Sequence, residues 1–110
     1  MSDNLWAQYF KEREGFESIN SEKGVISYKI HGEDCYIRDV FVCADARSSG
    51  EASCLADAVA DVAKERGCKY LTGSIIPSMP GSTGSLIGLL KYGFKLNWAK
   101  EDYICLIKEL

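Results

Sequence analysis

Four residues of "DARSSGEASCLADAVADVAKERG" could do chemistry together: Arg47, Ser48, Ser49 and Gly50, which stand directly before a long Ala-rich helical pattern. The first turn of a helix leaves about four N–H groups without an intrahelical partner, and partial positive charge collects there. A preceding turn of small residues lets a phosphate approach those N–H groups, while two hydroxyls add donors and an arginine adds a cation. That combination suits a pyrophosphate. The same residues also serve as an ordinary serine-capped helix start with a glycine to bend the chain. The spacing is not G-x-x-x-x-G-K-[ST], which argues against a nucleotide-hydrolysing loop. It is not G-x-G-x-x-G with a downstream acidic residue either, which disfavours a dinucleotide fold.

Other reactive side chains carry less signal. Cys35, Cys43, Cys54, Cys68 and Cys105 are scattered and form no C-x-x-C pair, and His31 is the sole histidine, so no metal site is expected. An odd set of cysteines reads as buried free thiols in a reducing cytosol. His31 lies in the turn "HGED" and reads as a surface residue. "PGSTG" could cradle an anion, although turn chemistry accounts for it.

The elements that must position these residues follow from periodicity. Leu5, Trp6, Tyr9 and Phe10 fall at helical spacing in a helix of about 4–13, with Ser2, Asp3 or Asn4 as its cap. Core packing accounts for those aromatics. Residues 16–21, 25–30 and 35–42 read as three strands of an antiparallel meander, turned at Lys23-Gly24 and at "HGED". The Ala-rich helix carries Leu55, Val59 and Val62 beside a stripe of Ala52, Ala56, Ala60 and Ala63, and Gly67 stops it. "CKYLTGSII" then forms a strand parallel to 35–42. A short helix, "STGSLIGLLKYG", precedes two final strands joined by a hairpin at "NWAKED". The sum is an α+β fold, a mixed sheet with a parallel crossover near its middle, in one domain spanning 1–110.

The formal net charge is -3 and there is no Lys/Arg cluster, so the chain lacks the electrostatic footprint of a nucleic-acid binder. A basic peptide, a polyamine or a small amine is compatible with that charge. The start "MSDNLWAQYF" lacks a signal-peptide layout, and no apolar run approaches the ~18 residues of a membrane span. A soluble, cytoplasmic protein is expected, with neither nucleic acid nor membrane as partner.

"VFVCADARSSGEASCLA" resembles motif A of the GCN5-related N-acetyltransferase (GNAT) superfamily: strand, loop, then [Q/R]-x-x-G-x-[G/A] opening a helix. Arg47, Gly50 and Ala52 stand at the motif positions, and Leu55 on the apolar position that follows. "SLIGLLKYGF" resembles the family's short helix ending in K-x-G-F, matched by Lys91, Gly93 and Phe94. The element order from residue 16 onward fits as well. The resemblance implies acetyl-CoA as co-substrate, with its pyrophosphate on the backbone N–H groups of Arg47, Ser48, Ser49, Gly50, Ala52 and Ser53. It implies a bulged strand at Val40, Phe41 and Val42 whose N–H polarises the thioester carbonyl, as in an oxyanion hole. The pantetheine arm would run between that strand and the diverging strand at 70–76. The acceptor would be an amine on a peptide, protein or small molecule.

The match has gaps. The family's general-acid tyrosine maps onto Leu89, which leaves Tyr92 or Tyr103 as substitutes; Tyr92 is the candidate. The asparagine before the short helix maps onto Ser82. "KYLTGSII" carries no carboxylate, so the candidate base is Asp39, or Glu33 at the strand start; Asp39 could instead pair with Arg38, Lys29 or another sheet neighbour. Glu51 puts an anion beside the cradle, although it also complements the helix dipole. The N-terminal wall is a single helix. The competing function class is therefore a catalytically inactive binding or inhibitory module of the same fold. A third, a redox thiol protein, would need a cysteine with a depressed pKa. A sheet edge expected at 104–110 offers a homodimer contact.

Overall fold

β-Branched and aromatic residues in alternation build the first half of the sheet. In the computed structural model, which describes residues 5–110, β1 (Glu17–Asn20), β2 (Gly24–His31) and β3 (Asp34–Val42) follow α1 (Leu5–Glu14) as an antiparallel meander. The caps expected at Ser2, Asp3 or Asn4 lie outside the described residues. Gly24 opens β2 where a Cβ would come within 2.7 Å of the Phe41 carbonyl oxygen, so only glycine fits that close approach.

A single 3-10 turn (Ala44–Ala46) leads to α2 (Glu51–Glu65), then β4 (Tyr70–Ile75), α3 (Ser82–Tyr92), β5 (Lys95–Lys100) and β6 (Tyr103–Glu109). The six-stranded sheet runs β1-β2-β3-β4-β6-β5, and β3–β4 is its parallel pair among these neighbours. That is the α+β mixed sheet the periodicity implies. Two expectations fail. The last hairpin turns at Glu101-Asp102, because β5 continues through "NWAK" to Lys100 and pairs there with Tyr103. The 104–110 strand is not an edge, since β6 lies between β4 and β5; the edges are β1 and β5. The homodimer contact expected at 104–110 is thereby withdrawn.

Leu55, Val59 and Ala63 of α2 pack on Ile26, Ile37, Leu71 and Leu106 of the sheet to make the core. Ala56, Ala60 and Ala63 are buried as the stripe requires, but Ala52 is exposed in the first turn. α3 lies on the same face, where Leu89 touches Gly73 of β4 and Tyr92 reaches Asp57 of α2. α1 lies on the other face and buries none of its residues fully. Trp6 and Tyr9 are exposed and stack on each other, so only Phe10, which stacks on Phe16, joins the sheet. Core packing therefore does not account for Trp6 and Tyr9.

Both helices on the core face stop in the same way. Gly67 N–H bonds to Lys64 O and Cys68 N–H to Ala63 O; Gly93 N–H bonds to Leu90 O and Phe94 N–H to Leu89 O. Each is a Schellman closure with glycine in the left-handed region and the following residue, Cys68 or Phe94, buried.

Candidate functional site

β3 and β4 pair only over Asp34–Tyr36 and Tyr70–Thr72. Beyond Tyr36, β3 stays with β2 as far as Val42, while β4 stays with β6 as far as Ile75. The two parallel strands separate and a fork opens between them. Each arm has an edge without a strand partner, so alternate backbone N–H and C=O groups face into the fork. Val40 and Phe41, on one arm, are 44% and 55% exposed, and Val42 is half-buried. The strand carries a bulge: Tyr28 pairs with Ile37 and Ser27 with Asp39, leaving Arg38 as the extra residue. A bulge here kinks the strand away from its former neighbour. It sits just before the Val40–Val42 stretch.

The β3 arm leads to the N-terminus of α2. Ser48 (φ 66) and Gly50 (φ 90) both adopt left-handed backbone, which folds the loop tightly before the helix. Gly50 is the N-cap and no side chain caps the helix; the first bond is Cys54 N–H to Gly50 O, 3.0 Å. The serine-cap reading therefore fails, because Ser49 donates to Ala46 O instead. The N–H groups of the first turn, at Glu51, Ala52 and Ser53, point out of the helix end as α-helical geometry requires. Arg47 donates from Nε to Val42 O at 3.0 Å and lays its guanidinium 5.8 Å from the centre of the Phe41 ring. It clamps the loop to the strand end.

Glu51, an obstacle in sequence, has a partner: Ser21 donates its hydroxyl to the Glu51 carboxylate. The β1–β2 turn holds this loop at two further points, Lys23–Asp45 at 2.8 Å and Cys43 N–H to Lys23 O at 2.8 Å. Sequence reasoning missed Ser21, Lys23 and Asp45, because their partners are more than twenty residues away.

Asp39 lies at the bulge, exposed, with the Ser27 hydroxyl at 3.4 Å and Arg38 Nε at 3.6 Å. Lys29, the alternative partner, instead donates to Glu14 O. On the same face Tyr36 and Ser74 join hydroxyls across the fork at 2.8 Å; neither stood out in the sequence. Ser82 opens α3 and donates to Pro77 O at 2.8 Å, closing the loop at the other arm. Tyr92 is not brought to the fork. Its hydroxyl donates to Asp57 at 2.5 Å, and burial, with that carboxylate, pushes its pKa up. It lines an open concavity of about 610 Å³ with Asp57, Asp61, Lys64 and Lys108, beside Leu71 at the start of β4. The fork opens at the other end of that strand. The uncapped helix end and free strand edge are there, which makes the fork the candidate site, and Tyr92 lies away from it.

The thiols are not all buried as expected: Cys35 and Cys68 are buried, Cys43 and Cys105 half-buried and Cys54 exposed. Burial pushes Cys35 up to about 12 and raises Cys68, the opposite of an activated thiolate. Among the described residues no group of three or more His, Cys, Asp or Glu could hold a metal ion, and no helix is long and apolar enough to cross a membrane.

A model of the acetyltransferase (GNAT) family matches residues 6–94. The chain belongs to the GNAT acetyltransferase family. Solved structures share its fold. A GNAT-family acetyltransferase from Elizabethkingia anophelis with acetyl-CoA bound matches at TM-score 0.72 and 24% identity, over 99% of this chain and 84% of that one. The PaiA N-acetyltransferase of Thermoplasma acidophilum, in complex with coenzyme A, matches at TM-score 0.71 and 14% identity over 80% of this chain. A GNAT-family protein from Desulfovibrio desulfuricans matches at TM-score 0.72 and 14% identity over 83% of this chain. The GNAT chain described here spans 54% of the Thermoplasma protein and 65% of the Desulfovibrio one. A comparison with curated proteins finds no match.

Proposed function

We propose that this chain is an acetyl-CoA-dependent N-acetyltransferase of the cytoplasm, moving an acetyl group to a primary amine by direct attack. One observation carries the reading: the open edge of β3 runs out of the fork directly to an uncapped helix N-terminus. Those are the donors that a thioester carbonyl and a pyrophosphate need, in the order in which they occur along acetyl-CoA. The backbone N–H groups of Arg47, Ser48, Ser49, Gly50, Ala52 and Ser53 hold the pyrophosphate, and Arg47 braces the loop. Val40, Phe41 and Val42 flank the pantetheine arm and supply the N–H that polarises the thioester. Ser82 borders the arm from the α3 side.

The chemistry needs little else. The amine nitrogen bonds to the carbonyl carbon, the C–S bond breaks, one proton leaves nitrogen and one reaches sulfur. Asp39, at the bulge and open to water, takes the amine proton directly or through a water. Tyr92 has no role. Glu51 accepts a hydrogen bond from Ser21, which holds its side chain to the β1–β2 turn.

A thermal-shift titration with acetyl-CoA and with free CoA tests the proposal. Ligand at about 100 times its dissociation constant adds about 2.7 kcal/mol, roughly 10 °C or more at this size. Arg47→Ala should cut the rise. Asp39→Asn should keep it while lowering transfer to amines about 100-fold. No rise at millimolar ligand would favour the inactive module.

A further inference from the structure

We propose that the sheet face beside the fork is a binding box for a second, non-reacting cation of the acceptor, and that Arg38 fills it when no acceptor is bound. The bulge pushes Arg38 out as the extra residue of β3. Its guanidinium carbon lies 4.7 Å from the centre of the Phe10 ring and 5.0 Å from that of Phe16. Nη1 is 3.2 Å from Glu14 Oε1, and Nε is 3.6 Å from Asp39 Oδ2. Trp6 backs Phe10 at 5.7 Å, and Phe16 stacks on it at 5.5 Å. Two ring faces and two carboxylates thus surround one guanidinium. Electron-rich ring faces with flanking carboxylates are the means by which proteins recognise alkylammonium and guanidinium groups.

The occupant is replaceable. Arg38 and Glu14 side chains are 39% and 50% exposed, so water screens their pairing and it holds only weakly. Lys29 also lies against Phe16, at 5.5 Å. With Arg38 swung out, the Glu14 carboxylate and the faces of Phe10 and Phe16 remain to meet a cation. An anionic acceptor is the poorer fit, because Arg38 already faces a carboxylate from both sides of its fork.

The box adjoins the reacting centre. Phe16 leans on Tyr36, the last residue of β3 paired to β4. A nitrogen held between the rings is a cation and therefore no nucleophile. The attacking amine must be a different nitrogen of the same molecule. The acceptor class is a primary amine bearing a separate guanidinium or alkylammonium group.

The inference rests on the transferase reading for the word acceptor, but its test needs no cofactor. Calorimetric titration of n-butylguanidine, with neutral n-butylurea as control, reads the box alone. Arg38→Ala should bind n-butylguanidine at least tenfold more tightly than wild type and gain nothing for n-butylurea. Adding Phe16→Leu should cancel the gain. If the alanine variant does not fold, Arg38→Gln removes the charge at similar length and carries the same titration. No gain for n-butylguanidine, or an equal gain for n-butylurea, overturns the box. The acetyl-CoA thermal shift of the same samples reports separately on the transferase reading.

Discussion

α2 and α3 are built on one plan and differ in one respect. Each follows a parallel or central strand through a short loop, starts on a left-handed glycine without a side-chain cap, and ends in a Schellman closure with a buried next residue. Each entry loop is tied to the hairpin turn beside it. Lys23 and Ser21 of the β1–β2 turn hold Asp45 and Glu51, while Asp102 of the β5–β6 turn accepts from the Ser78 hydroxyl and N–H. Yet α2 buries five residues and α3 none. An uncapped N-terminus is common to both, so it does not by itself make a ligand site. The α2 end is also anchored by core packing along fifteen residues and by Arg47 on the strand end. A diphosphate needs donors fixed in place, and under the proposed function the α2 end is the better anchored of the two.

The comparison can be broken by mutation. Leu55→Ala, at a position 3% exposed in α2, should cost about 2–5 kcal/mol in denaturant unfolding. Leu90→Ala, 49% exposed in α3, should stay within about 0.5 kcal/mol of wild type. Equal costs would mean that α3 is packed as firmly as α2. Gly50→Ala and Gly81→Ala each force a side chain to a φ near +90 or +82. Each should cost about 1–2 kcal/mol, but only Gly50→Ala should abolish the acetyl-CoA thermal shift.

The smallest expected effect lies at the far end of α2. Arg66 donates to both carboxylate oxygens of Glu17, at 2.6 and 3.0 Å, and those bonds hold the Glu17 carboxyl below its ordinary value of 4.5. A lowered folded-state pKa means stability that is present above 4.5 and lost as pH falls through the folded value. Glu17→Gln should therefore melt slightly earlier than wild type at neutral pH, and the difference should vanish as pH falls through the folded-state value.

Most of this architecture was legible because it is local. Alternation at 25–30, the Ala-rich period at 51–65 and the glycines after both helices mark their elements within a few residues. What escaped depends on distant partners. Strand order put β6 inside the sheet, which the hairpin signal "NWAKED" cannot reveal. Arg47 and Gly50 could be read as a candidate cradle from residue type and spacing, and Val40–Val42 only through the family resemblance, whereas the Tyr36–Ser74 link and the contacts around Arg38 require two strands and a helix to meet. The placement of Tyr92 escaped for the same reason: its neighbours in sequence say nothing of Asp57, which takes its hydroxyl. Glu51 looked misplaced until Ser21, thirty residues earlier, arrived beside it.

The most direct test of the fork as the site is a backbone amide NMR titration with CoA. The account predicts that the largest shifts fall on Glu51, Ala52 and Ser53 and on Val40 to Val42, with little change around Lys64 and Lys108. Shifts centred on the Asp57–Lys64–Lys108 concavity, or none at millimolar CoA, would contradict it.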